Sequence, residues 1–456
     1  MKDTVDTYDF QHLKSTTLGT YRPNALFVKI NTFCDLEPEF GEVLQDAVAV
    51  HVHEYIHYLH NVSTVAGQYY LFSHFMFLRY MVSGCDKNGH FIGGNAQDEL
   101  LSSLSDISKT TYTFLGTNSL KKIANNIDIS ELEISIPIRK INNDGVPEIH
   151  CELYLKNKEN IKEDIIIGYV FITEGIAYEI EREIRKKHTP SDKIDVGTPA
   201  FPYLAYRKAI ELWTGRKFNT KELVDISVTA LSSFFPGDLL FQICEDLKSM
   251  PAEFDLVLKK YKKDNAKRYE TIIKMLIEQN EAVRKNKNLK VAMKEYIKMS
   301  SYGMQIRVKN WLAELDFIEN SNDKYYFYSS VYKKVDYNLI QEKPCDKARI
   351  DWIGPSKIAK TEKEIRSIAV LQSMLHFSQL HMTTNGVIPN TVDLRNERCP
   401  FSGACVQEGK FQKDDDYKSI ENCQKKPWMN FLSPKSNELV CWYASGVRGL
   451  INPKLI

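Results

Sequence analysis

Residues 51 to 60 read HVHEYIHYLH, four of the chain's 11 histidines in ten positions with one glutamate among them. Within this run lies His53-Glu54-Tyr55-Ile56-His57, the H-E-x-x-H pattern. Side chains four residues apart on a helix stand on one face a turn apart, so His53 and His57 can offer ring nitrogens to a single ion. Glu54 lies one residue round, placed to hold a water on that ion and to accept its proton. Val48, Val52, Tyr55 or Ile56, and Leu59 recur at helical spacing and give the helix an apolar stripe beside its polar face. Chance yields roughly 0.02 such matches in a chain of this composition, so the pattern carries information. The alternative is a pair of core histidines already satisfied by hydrogen bonds, or a solvent-facing pair. His60 reads as a supporting or structural residue rather than a ligand, because three ligands along one straight helix converge poorly on a tetrahedral ion. His51 points largely away.

At 456 residues the chain exceeds what one core usually holds, and we expect segments at 1–250, 251–300 and 301–456. With 43% hydrophobic and 26% charged residues and a formal charge of +1, the totals give no argument for nucleic acid or for disorder. The opening MKDTVDTYDFQHLKS carries acidic residues and no apolar core, unlike a secretory signal, and most of the nine cysteines are scattered, which suits reduced thiols in a cytoplasm. Ala66 to Val82 is apolar but includes Gln68, His74 and Arg79, and reads as a buried helix rather than a membrane span. A strand is expected at Ala25 to Ile30, a helix from about Glu39 through His60, and a hairpin of ELEISIPIRKI with PEIHCELYL across the turn Asn142 to Gly145. A helix is expected from Asp164 to about Lys187, then two more from about Thr220 to Leu247 broken at Pro236-Gly237. The lysine-rich stretch from Leu258 to Lys298 reads as solvated helices joining two lobes, with nucleic-acid binding the lower-ranked reading. Beyond it stand a strand candidate, Tyr325 to Tyr332, and a helix opening at Thr361 with a capping box.

A two-histidine site needs a third ligand. In GYVFITEGIAYEI, Glu174 has Val170 and Phe171 a turn before it and Ala177 and Tyr178 a turn after, so its face of the helix is apolar. A buried carboxylate requires a cation or hydrogen bonds. A metal is the simplest partner, and an unseen Arg or Tyr is the alternative. Gly175 beside it suggests close approach of a second helix backbone, whereas Glu179, Glu181 and Glu183 have basic neighbours and read as surface.

HEYIH on one helix and TEGIAYE on a later one resemble the zincin metallopeptidases, specifically the gluzincins, over about residues 20 to 250. The resemblance implies a zinc ion on His53, His57 and Glu174, hydrolysis of a peptide bond with Glu54 activating metal-bound water, and a Tyr or His donor to the oxyanion. Tyr203, Tyr206 and Tyr178 are candidates for that donor. Four cysteines crowd the tail, Cys399, Cys405, Cys423 and Cys441, a set that could hold a second, structural zinc or an iron-sulfur cluster, or stay unligated. The expected fold is α+β and mostly helical: a zincin-like catalytic domain with the H-E-x-x-H helix and a small sheet, plus a mixed cysteine-containing C-terminal domain. The expected partners are a protein or peptide substrate and a regulatory protein met through the C-terminal domain, with no membrane. A second class of reading is an interaction or regulatory protein on the same scaffold, with structural zinc and no catalysis.

Overall fold

A computed structural model describes residues 19–22, 27–30, 45–93, 98–123, 127–142, 145–156, 158–187, 189–191, 193–282, 287–321, 338–344, 349–353, 362–401, 417–430 and 441–450. The first two strands, β1 (Gly19–Arg22) and β2 (Phe27–Ile30), pair antiparallel. They lead to α1 (Gln45–Ser63), which carries the histidines. Thr64 alone separates α1 from α2 (Val65–Val82), and its hydroxyl caps α2 by accepting from Gly67 N–H at 3.0 Å. The apolar α2 is a buried helix, as its polar interruptions implied, and no helix among the described residues is long and apolar enough to cross a membrane. α3 (Asp98–Leu115) follows.

The expected hairpin is present but longer on one side and broken on the other. β3 (Leu132–Ile134) and β4 (Ile138–Ile141) both pair with β5 (Pro147–Leu155), interrupted around Pro137, which has no N–H to give to a ladder. β4 is closed onto β5 where Gly145 N–H donates to Asn142 O and Asn142 N–H to Val146 O, each at 3.0 Å. β6 (Lys158–Ile167) then runs antiparallel to β5. The helix expected from Asp164 therefore starts later, as α4 (Tyr169–Arg185), because the β-branched run Ile165-Ile166-Ile167 completes the ladder instead.

Helices α5 (Ala205–Thr214), α6 (Thr220–Ala230) and α7 (Pro236–Ser249) surround α4, and Pro236 opens α7 where a missing N–H costs nothing. The lysine-rich part forms α8 (Phe254–Lys262), α9 (Asn265–Ala282) and α10 (Lys287–Lys309). Its lysines behave as a solvated face: Lys260 meets Asp246 at 2.7 Å and Lys262 meets Asp225 at 2.6 Å. The opposite face is core. α9 lies on α2 and α10 on α1, so closely that a Cβ on Gly303 would sit 2.3 Å from the carbonyl oxygen of Val62. α10 also runs through residue 300, where a boundary was expected, without a break.

After α11 (Leu315–Asn320), the strands β7 (Asn338–Pro344) and β8 (Arg349–Ile353) complete the first sheet in the order β1-β2-β7-β8, with β2 and β7 parallel. The chain ends in α12 (Glu362–Gln379), α13 (Tyr417–Lys425) and α14 (Trp442–Arg448). The strand candidate at 325–332 and Thr361 lie outside the described residues. The protein is α+β and mostly helical, with small sheets. Buried side chains from all three expected segments, Val48, Leu276 and Leu371 among them, belong to one continuous apolar cluster.

Candidate metal centre

α1 is buried from Val48 to its end: Val48, Val52, Tyr55, Ile56 and Leu59 are each at most 1% exposed. The polar residues of the same helix are buried too, with His53 7%, Glu54 8% and His57 8% exposed, so each needs a compensating partner. α4 packs along α1, held at one end by Tyr169, whose hydroxyl donates to Asn61 Oδ1 at 3.0 Å. This contact brings Glu174 over the histidines. His53 Nε2 and His57 Nε2 stand 3.3 and 3.2 Å from the same oxygen, Oε2 of Glu174.

Among the described residues, these three form the one group of three or more His, Cys, Asp or Glu side chains placed to hold a metal ion, their ligand atoms lying within 4.8 Å of one another. Donors about 2.0–2.2 Å from a tetrahedral zinc stand about 3.3–3.6 Å apart, close to the separation of each imidazole from the Glu174 oxygen. Burial alone would raise the Glu174 carboxyl; the two imidazoles outweigh it and hold the group well below the usual carboxylate range. Burial alone would lower His53, but hydrogen bonds to Glu174 and Glu181 and the charges of Glu181 and Glu54 raise it well above the ordinary imidazole value.

Glu181 was expected on the surface and is 6% exposed. His53 Nδ1–H donates to its Oε2 at 2.8 Å, and its other oxygen pairs with Arg185. The carboxylate therefore fixes the ring so that Nε2 faces the cluster. Glu181 stands seven residues, two helical turns, beyond Glu174, and that spacing was the available signal; the basic neighbours concealed it. Glu179 is buried as well, paired with Arg207. Glu183, the third of these acids, is half-buried against Lys186 and Thr220.

The tyrosine candidates separate. Tyr203 belongs to the irregular turn Ala200–Leu204, and its ring lies 5.7 Å from that of His53. Burial first, then the carboxylates of Glu174, Glu54 and Glu181, raise its phenol well above the ordinary value. Tyr178 packs edge-on against Tyr203 but gives its hydroxyl to Asp195 at 2.7 Å. Tyr206 is turned elsewhere: its hydroxyl meets Ser227 Oγ, and its ring covers Gly175, where an added Cβ would sit 2.1 Å from Tyr206 Cγ. The close approach expected at Gly175 is thus made by a side chain, not by a helix backbone.

Comparison with family models, with curated proteins and with solved structures finds no match. The residues themselves are what bears on function.

His60 is not part of the cluster. Its Nε2 meets Glu314 Oε1 at 3.1 Å, and Glu314 in turn receives Arg307 through two hydrogen bonds of 2.6 and 2.8 Å. Arg307 also donates to Ser63 Oγ at 2.9 Å, so a fully buried network fastens the end of α1 to α10 and the start of α11. In the tail, Cys399 and Cys423 are close and buried, Cys441 is half-buried just before α14 and makes no three-residue ligand group with them, and Cys405 lies outside the described residues.

Proposed function

We propose that the chain is a cytoplasmic zinc-dependent peptidase of the zincin type, acting on a protein or peptide substrate. The observation that supports this most is the convergence of His53 Nε2 and His57 Nε2 on one oxygen of Glu174, with Glu54 and Tyr203 at the same place. His53, His57 and Glu174 would hold the ion. Bound there, zinc supplies a Lewis acid for a scissile carbonyl and makes water a better nucleophile near neutral pH.

The chain's own groups do the rest. Glu54 is not one of the three ligands and stays ready to accept a proton from the attacking water and pass it to the leaving amine. Tyr203 keeps its hydroxyl proton, because burial and three neighbouring carboxylates oppose its loss, and so remains a donor for negative charge developing on the substrate oxygen. Glu181 and Arg185 hold the His53 ring in one orientation. A cytoplasmic setting agrees with the cysteines, none of which is joined in a disulfide among the described residues.

The test is cleavage of an unstructured protein substrate by zinc-loaded wild type and Glu54→Gln. The reading expects about a 10²–10⁴-fold loss of rate in the variant with the ion retained. Undiminished cleavage, or none in zinc-loaded wild type over a broad set of peptides, would leave a protein that uses the ion as a brace.

A further inference from the structure

The tail carries a second cluster that the catalytic reading does not use. α13 ends near Lys425; Asn422 O still takes Lys426 N–H at 2.7 Å, whereas the carbonyls of Cys423 and Lys425 look beyond the helix for donors. An extended segment supplies them: Cys399 N–H donates to Cys423 O at 2.7 Å and Glu397 N–H to Lys425 O at 2.6 Å. This docking sets Cys399 against Cys423, and their side chains share a hydrogen bond. Both are buried, at 4% and 5% exposure.

Each sulfur is also an acceptor. Phe401 N–H donates to Cys399 Sγ at 3.4 Å, and the Asn430 amide donates to Cys423 Sγ at 2.9 Å. Donors aimed at sulfur suit a thiolate, and such N–H···S bonds surround metal-bound thiolates in particular. Two buried sulfurs in contact, each met by an N–H, present a paired sulfur face to a single soft ion.

We propose that Cys399 and Cys423 are two thiolate ligands of a soft divalent metal site, zinc in class, separate from the His53–His57–Glu174 cluster and serving to pin α13 to the 397–401 segment. It requires no redox step, and the thiol protons leave to solvent as the metal enters.

Full-length protein carrying Glu174→Ala, stripped of metal under reducing conditions, is titrated with cobalt(II) and then with zinc. The proposal expects a thiolate-to-cobalt charge-transfer band that saturates with one ion, is displaced by zinc, and is lost in Cys399→Ser and in Cys423→Ser. X-ray absorption at the zinc edge of the Glu174→Ala protein should show at least two sulfur neighbours at about 2.3 Å, a readout that stands even where the serine variants fail to fold. No charge-transfer band, only nitrogen and oxygen neighbours, or a Cys399–Cys423 disulfide in freshly purified protein would overturn it. Because Glu174→Ala removes the other cluster, this result is independent of whether the catalytic reading holds.

Discussion

At the scale of single residues, the arrangement turns on partners that no local rule assigns. His53 and His57 were legible because their spacing and the apolar stripe around them appear in one stretch of sequence, and Glu174 because its helix face is otherwise apolar. Glu181 was not legible, since Arg182 and Arg185 made it look like a surface acid, whereas the tertiary contact of α4 with α1 turns it toward His53 Nδ1. Which of Tyr203 and Tyr206 lies beside His53 needed coordinates, because both lie in one short stretch and only packing decides which ring covers Gly175. Two outcomes follow at this scale. Replacing Glu181 with Gln frees the His53 ring and should lower zinc affinity about 10–100-fold in competition with a chelating dye, with the fold retained. Gly175→Ala forces a methyl group into the Tyr206 ring and should cost about 1–3 kcal/mol of stability, read from denaturant unfolding, with less effect if Tyr206 is also shortened to Ala.

At the scale of elements, α1 is held from two sides by different chemistry. α4 meets it through the histidine–carboxylate cluster, and α10 through the buried Arg307–Glu314 pair with His60 and Ser63. The sequence placed His60 outside the ligand set, but its partner lies 254 residues away and has no local signature. Removing one member leaves an uncompensated charge in the core, so Arg307→Ala should destabilise the protein by about 3–5 kcal/mol, measured by urea unfolding. Burial would raise the Glu314 carboxyl, but Arg307 and then His60 hold it well below the ordinary range. A carboxyl depressed by folding contributes stability that is full above its unfolded value of about 4.3 and is lost as pH falls below it toward the folded value. His60, lowered chiefly by burial, acts in the same direction, since the unfolded imidazole binds a proton that the folded one resists. Thermal unfolding followed from pH 7 downward should therefore show a steeper acid loss in wild type than in Glu314→Gln. Equal slopes would mean that the network carries little of the acid sensitivity.

At the scale of the whole molecule, the composition suggested separable parts, and the packing joins them. The apolar faces of α9, α10 and α12 are amphipathic patterns that a sequence shows without saying which surface they cover; that surface is α1 and α2, far earlier in the chain. Residues 1–250 expressed alone should accordingly lack a cooperative unfolding transition, because the far sides of α1 and α2 would be left in water; a sharp transition near that of the full chain would contradict the shared core. The reading of function depends on something smaller, an ion between α1 and α4. The most direct measurement is anomalous diffraction from crystals of zinc-supplemented protein, collected on either side of the zinc edge. The account predicts an anomalous peak about 2.0–2.2 Å from His53 Nε2, His57 Nε2 and a Glu174 oxygen, with Glu54 beside it and unligated. Density with no such peak, and both imidazoles hydrogen-bonded directly to Glu174, would contradict it.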